Sequence, residues 1–382
     1  MVLPRHWAVG PACLAAFLLA GCGSDGASPP MDRDPTSLVR FLDRTVPGLL
    51  REHDVPGAAV AVVHDGAVFW ARGFGLADRE RDRPVSVQTV FQAASISKPV
   101  TAWGVMRLVE QGKLGLDAPV GRYLARWQLP ASEFDRDEVT VRRLLSHTAG
   151  LSLGGYPGLD PGRRLPTLEA SLSGATGGAG DVRLVQEPGS AFSYSGGGYT
   201  LLQLLVEEVT GERFADYMQR EVLQPLGMRR SAFVWTAELR ADTARAYDGS
   251  GNPQPNYLFT EQAPAGLYTT VEDLARFVAA AMRGPRGEPV GRGLLAPATL
   301  KSMLSPAPAT DGAYGLGYFL EQLPDGLAIA GHSGSNRGWR TQLAMLPATG
   351  AGIVVLTNSD NGGGITDDLA SAWSEWAAAS AR

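Results

Sequence analysis

Phe91–Leu114, FQAASISKPVTAWGVMRLVEQGKL, sets Ser95 and Lys98 three residues apart ahead of an apolar run. Ala102, Val105, Met106, Leu108 and Val109 recur there at three- and four-residue spacing, which predicts a helix with one buried face. The serines before it suit the capping of a first turn. Residues i and i+3 share a helix face, so a helix covering both would bring the Ser95 hydroxyl to the Lys98 amine. A serine hydroxyl is a poor nucleophile until a base takes its proton, and a desolvated lysine can be that base because burial lowers its pKa. The spacing thus admits two readings, an ordinary capped turn and a nucleophile beside its base. The only lysines are Lys98, Lys113 and Lys301, and only Lys98 follows a serine by three positions; arginines supply the remaining strong bases and do not deprotonate usefully.

At 382 residues the chain can hold one large domain or two ordinary ones around a sizeable core. Its formal net charge is −5, with no basic field or long charge run, so no nucleic-acid partner is expected. The opening MVLPRHWAVGPACLAAFLLAGCGSDG carries Arg5 and then an apolar run too short to cross a bilayer comfortably, and it reads as an export signal. Its end, Leu19-Ala20-Gly21-Cys22, resembles the lipobox of bacterial lipoproteins, which implies a signal peptide over 1–21 and lipidation of Cys22. An ordinary cleaved signal or an uncleaved anchor are the alternatives. Gly23 and Ser24, in place of an acidic residue, lean by the same resemblance toward the periplasmic face of the outer membrane. Cys13 lies in the signal, so the domain beyond Cys22 has no cysteine to pair.

Residues 22–35 read as a polar, Pro-containing tether and 36–381 as the folded domain. A helical stripe from Leu38 to Leu50 is followed by the runs GAAVAVVH and AVFWARGFG, joined at Asp65-Gly66 as in a hairpin. VRRLLSHTAGL reads as a helix ending near Gly150, Leu172–Gly180 as a small-residue loop, and YTLLQLLVEEVTGERFADYMQREVL as two helices broken at Thr210-Gly211. YGLGYFLEQL, LAIAGHSG, RTQLAML and AGIVVLTN are strand-like, and Ile365–Ala381 closes the chain as a helix. Strands at both ends with helices between imply an α+β fold. One antiparallel sheet would come from about 36–90 and 312–381, flanked by helices, with a helical lobe over about 91–311.

This order of elements and motifs resembles the serine β-lactamase, penicillin-binding-protein and class C-like esterase superfamily, from about Thr36 to Ala381. TVFQAASISKPVTA resembles its first motif, and VRRLLSHTAGL, EPGSAFSYSGGGYTLLQLL and PAGLYTTVEDLARF resemble segments of its class C-like branch. GHSGSNRGW falls where the family has its third motif. The resemblance implies a β-lactamase/transpeptidase-like fold, a Ser95 nucleophile and a Lys98 base. It also implies that the Tyr194 hydroxyl shares proton transfer to the leaving group, whereas Tyr199 fits a core tyrosine. The backbone N–H groups of Ser95 and Ser335 would form the oxyanion hole.

Two motifs depart from the family. Tyr-x-Asn reads Tyr194-Ser195-Gly196, and the missing amide puts amide substrates in doubt, since unpaired polar groups of a substrate cost affinity. Lys-Thr-Gly reads His332-Ser333-Gly334. A histidine of ordinary pKa is mostly neutral at pH 7, so His332 would line the site but hold a substrate carboxylate less firmly than lysine; the alternative is a capping or packing histidine beside the glycine turn. Gly334 would let substrate approach the strand edge closely; Arg337 could compensate by holding a substrate carboxylate, but it reads first as a solvated loop residue. His147 falls at a helix end, where a partly charged imidazole suits the dipole and bonds carbonyls. His53, His64, His147 and His332 show no zinc-ligand spacing, so neither metal nor cofactor is implied. Gly150-Leu151-Ser152-Leu153-Gly154 matches the G-x-S-x-G elbow of α/β-hydrolases, but it lacks the strand before and the helix after that the elbow needs.

These readings converge on an exported serine hydrolase acting through a Ser95 acyl-enzyme, with small esters as the leading substrates. β-Lactam hydrolysis and D-amino-acid peptide cleavage stay open, as does a catalytically silent lipoprotein that binds cell wall.

Overall fold

The computed structural model describes residues 29, 30, 32, 34–175, 179–323 and 326–380. The expected export signal, Cys22 and most of the tether lie outside them.

Asp34 caps helix α1 (Pro35–Glu52) by accepting the Thr36 N–H, and Pro35 suits the first helical position. Strands β1 (Gly57–His64) and β2 (Ala67–Asp78) follow. Asp65 and Gly66 between them both have positive φ (50° and 65°), as a tight two-residue hairpin of matching twist requires. Short strands β3 (Arg83–Pro84) and β4 (Phe91–Gln92) lead into a 3₁₀ turn, Ala94–Ile96, and helix α2 (Ser97–Glu110). Ser95 therefore precedes the α-helix instead of lying within it.

The intervening lobe holds α3 (Val141–Leu145), α4 (Leu168–Leu172), α5 (Gly196–Thr210), α6 (Phe214–Met218) and α7 (Ala237–Asp242). It continues with the pair β5 (Ala246–Tyr247) and β6 (Pro253–Gln254), then α8 (Gln262–Ala265), β7 (Tyr268–Thr269), α9 (Val271–Ala280) and α10 (Pro297–Met303). The helix expected to run to near Gly150 stops at Leu145, because His147 turns the chain with φ 58°. Gly211, at φ 69°, ends α5 as a left-handed cap. The chain closes with β8 (Phe319–Gln322), β9 (Ala328–Asn336), β10 (Trp339–Leu346), β11 (Ala351–Thr357) and α11 (Gly363–Ser380).

The main sheet has the order β3-β2-β1-β11-β10-β9-β8 with every neighbour antiparallel, so the two ends of the chain meet at its centre, Val60 opposite Val355. Strand alternation divides β1 between two cores. Ala58, Val60 and Val62 face α1 and α11 with Leu42, Trp373 and Trp376, while Ala59, Ala61 and Val63 join the larger core with Trp103, Leu202 and Phe277. Both faces are covered, which is why GAAVAVVH reads as one apolar run. Burial of each large aliphatic side chain contributes on the order of 1.5–3 kcal/mol, and the two cores together hold β9 and the start of α2 in fixed relation.

Candidate active site

The Ser95 turn is held from two sides. Thr341 Oγ1, on β10, donates to the Ala93 carbonyl at 2.9 Å. On the other side Ala93 N–H donates to Leu267 O (2.8 Å), and Ser97 Oγ accepts the Leu267 N–H (3.0 Å) while donating to Ala94 O (2.6 Å). Ala94 sits at φ 49°, a left-handed conformation that disfavours any Cβ, and it throws the next residue outward. Of residues 91–100 only Ser95 is not fully buried.

Lys98, 2% exposed, extends back along α2 and donates to Ser95 Oγ at 3.1 Å and to the Pro264 carbonyl at 2.9 Å. Burial lowers its pKa from 10.5 to about 7, so a substantial fraction is free amine at neutral pH. Its Nζ lies 4.8 Å from the Tyr194 ring centroid and 5.7 Å from that of Tyr199. Burial pushes the Tyr194 hydroxyl up, against the opposing pull of its hydrogen bond with Ser95, so the phenol stays protonated. Tyr199 is fully buried and donates to Leu145 O at 3.1 Å, a core role. The three groups Ser95, Lys98 and Tyr194 thus meet at one point.

Strand β9 passes this point with a free edge. β8 pairs only with Ala328–Gly331, which leaves 332–336 unpaired on that side. Asn336 and Trp339 flank the two-residue turn Arg337-Gly338 and form a hydrogen-bonded pair; alternation then turns the backbone groups of Ser335 and Ser333 away from β10, toward the open edge. Both of these serines are exposed. Gly334 between them has a reason other than the one its sequence suggests. A Cβ there would collide with Thr341 Oγ1 and the Ala93 carbonyl, so the glycine lets β9 pack on the Ser95 turn instead of admitting substrate.

His332 also differs from its sequence reading. It is 2% exposed, and burial together with the nearby Lys98 lowers its pKa to about 3. Its Nδ1 lies 2.6 Å from Ser333 O, which makes that nitrogen the protonated one. A neutral imidazole enclosed by Phe319, Tyr314 and Tyr194 attracts no carboxylate by charge. Arg337 is exposed, with its guanidinium 5.0 Å from the Tyr257 ring centroid.

Gly196 opens α5, and the slot of its absent side chain is filled. A Cβ at Gly196 would stand 3.2 Å from Gly154 O, 3.3 Å from Gly155 Cα and 3.4 Å from the Tyr156 ring. Tyr156 is pinned there by its hydroxyl, which accepts from Thr200 Oγ1 at 2.8 Å. Ser152 lies at the root of this loop, its hydroxyl bonding Asp181 O (2.7 Å) and the Arg183 N–H (3.0 Å). No strand–turn–helix surrounds it, only the bridge Leu151 to Leu184. His147 is no dipole partner: it is 2% exposed, burial lowers its pKa well below the usual range, and its Nδ1 accepts the Ser195 N–H at 3.0 Å.

Sequence reasoning missed Pro264, Thr341 and Tyr156. The first acts through its carbonyl, which no residue type advertises. The other two act through contacts with Ala93 and Gly196, 248 and 40 positions away in the chain. Among the described residues no cluster of three or more His, Cys, Asp or Glu is arranged for a metal, and no helix is long and apolar enough to cross a membrane.

Residues 42–374 match the family described as Beta-lactamase. Esterase EstB of Burkholderia gladioli is 30% identical over 369 residues, covering 85% of this chain and 92% of that protein. Penicillin-binding protein 4 of Amycolatopsis lactamdurans is 32% identical over 325 residues, covering 81% and 82%. Among solved structures, the octameric penicillin-binding protein homologue from Pyrococcus abyssi superposes with a TM-score of 0.70 at 30% identity, over 85% of this chain and 74% of that one. A match that takes in the Ser95 turn, α5, β9 and both halves of the sheet means that this chain belongs to the Beta-lactamase family of serine hydrolases.

Proposed function

We propose that this protein hydrolyses small esters through an acyl-enzyme on Ser95. The carrying observation is the buried Lys98 amine, 3.1 Å from Ser95 Oγ with a pKa of about 7. As free amine it takes the Ser95 proton while Oγ attacks the ester carbonyl. The N–H groups of Ser95 and Ser335 stabilise the oxyanion, each such donor being worth on the order of a hundredfold or more in rate. On collapse the C–O bond to the leaving alkoxide breaks. The alkoxide takes a proton from the Tyr194 hydroxyl, which recovers one from the Lys98 ammonium. Water then attacks the Ser95 ester with the same groups in reversed order, returning free Ser95 and a carboxylic acid.

The ester preference rests on Gly196 and its filled slot. An ester alcohol oxygen needs no partner there, whereas a β-lactam or peptide side-chain amide would lose one. The kinship with esterase EstB agrees with this. The free edge of β9 favours a second reading, a D-amino-acid peptidase or β-lactam hydrolase in which an extended acyl donor lies along 333–335, and kinship with penicillin-binding protein 4 keeps it open. Paired kinetics on a short-chain p-nitrophenyl ester and a chromogenic cephalosporin, with Ser95→Ala beside them, decide the matter. Ester turnover that vanishes in the variant, with little cephalosporin turnover, supports the first reading; efficient cephalosporin turnover supports the second. A folded protein that neither turns over substrate nor labels with a fluorophosphonate would point to a silent binding protein.

We further propose export and a lipid anchor at Cys22 on the periplasmic face of the outer membrane, supported by the lipobox-like Leu19–Cys22. Mass spectrometry of protein from membranes is expected to find acyl chains on Cys22; an unmodified cysteine overturns the anchor.

A further inference from the structure

His147 holds a left-handed backbone conformation that residues other than glycine seldom adopt. At φ 58° it follows α3 where helices commonly end on Gly or Asn. That conformation turns both hydrogen-bonding faces of one residue onto one segment. The His147 carbonyl accepts the Ser193 N–H at 2.7 Å, and ring Nδ1 accepts the Ser195 N–H at 3.0 Å. Tyr194 lies between them with its ring against the imidazole, centroids 4.3 Å apart and planes inclined by 37°. A nitrogen that accepts a backbone N–H carries no proton, so the grip requires neutral imidazole. Lys98, His332, Tyr194, Tyr199 and Tyr314 are the titratable neighbours; burial first, and then the nearby Lys98 and His332, each of which would oppose a second positive charge, keep it neutral.

We infer that His147 is a positioning residue that grips the chain on both sides of Tyr194 and stacks on its ring, holding the phenol against Ser95 and Lys98. The inference rests on the proposed proton-transfer role of Tyr194. Glycine would suit the backbone better but could offer only the carbonyl; asparagine would add the acceptor but no ring. The chain keeps a histidine at the expense of local conformational ease, as sites do when placement matters more than stability.

The test is a double-mutant cycle read as kcat and KM on the ester, with active sites titrated and Tm measured. His147→Phe keeps the ring and removes the acceptor; His147→Asn keeps an acceptor at the same bond distance, suits the backbone and removes the ring. His147→Phe is expected to lower kcat about 100-fold, since misplacement by about 1 Å has that effect, with KM within about threefold. His147→Asn is expected to lose about tenfold, retaining the acceptor to a buried N–H. In a Tyr194→Phe background, His147→Phe should add almost nothing. Wild-type kcat in either folded variant, losses that multiply in the double variant, or a loss that merely tracks the unfolded fraction would each overturn the inference. If Tyr194→Phe itself is fully active, the role of Tyr194 fails and the inference with it. A crippled Tyr194→Phe beside a normal His147→Phe refutes the inference alone.

Discussion

Lys98→Met is expected to abolish turnover and raise stability. The amine is 2% exposed, and burial takes its pKa from 10.5 to about 7. At about 1.4 kcal/mol for each pH unit, that fall corresponds to ~5 kcal/mol held against the folded state wherever both forms are charged, below about pH 7. Methionine has similar length and no charge to desolvate. Against this gain, the variant loses the bonds to Ser95 Oγ and Pro264 O, and a buried carbonyl left unpaired costs ~1–3 kcal/mol. The net stabilisation at pH 6 is therefore ~2–4 kcal/mol.

The pH dependence separates this account from simple repacking. Because the folded pKa is lowered, the unfolded chain binds a proton between about pH 7 and 10.5 that the folded chain does not, so wild-type stability gains from Lys98 as pH rises through that window. The advantage of the variant is full below pH 7 and shrinks by ~3 kcal/mol on going to pH 9. Urea unfolding followed by tryptophan fluorescence, on both proteins at pH 6 and pH 9, measures it; the other groups titrate in both, so the difference isolates Lys98. A variant less stable than wild type at pH 6, or a gap equal at the two pH values, would refute the reasoning and with it the poised, dry amine.

Ester acylation is expected to rise with pH through about 7 as Lys98 becomes free amine, and a flat profile from pH 5 to 9 would remove Lys98 as the base. Ser152→Ala is expected to stay within about twofold of wild-type kcat/KM, because that hydroxyl only ties the loop to Asp181 and Arg183; a loss as deep as that of Ser95→Ala would move the nucleophile. Gly334→Ala is expected to lower kcat about 100-fold by pushing the Ser95 turn off β9, and wild-type kcat there would show that the turn tolerates displacement.

What the sequence disclosed depended on whether a residue acts locally. The Asp65-Gly66 hairpin, the Gly211 helix end and the continuous apolar β1 are short-range signals, and each stands in the structure where its pattern placed it. The Ser95–Lys98 pair is legible for the same reason, as an i, i+3 relation. The end of α3 was misread because a histidine, not a glycine, takes the left-handed position, and the demand that puts it there comes from Ser193 and Ser195, more than 40 residues on. Gly334 was legible as a site of close approach but not for what approaches it. The ordinary pKa assigned to His332 failed because burial on a strand edge is a property of the assembled sheet, and burial sets it.

Strain is distributed in a way that follows function. Among the described residues nine that are not glycine have positive φ, and four of them are aspartates, which take that conformation with little cost. The other five are Ala94, His147, Leu153, Arg292 and Ala309. Ala94 throws Ser95 outward, His147 grips Tyr194, and Leu153 turns the loop whose next three residues fill the slot at Gly196. Each costs on the order of 1 kcal/mol or more and persists because the covered sheet and two cores over-determine the backbone around it. Relaxing Ala94 with glycine, which gives up only a methyl group, should therefore ease folding while loosening the aim of Ser95, the reverse of what glycine does in an ordinary helix; at His147 the lost ring and acceptor outweigh that relief.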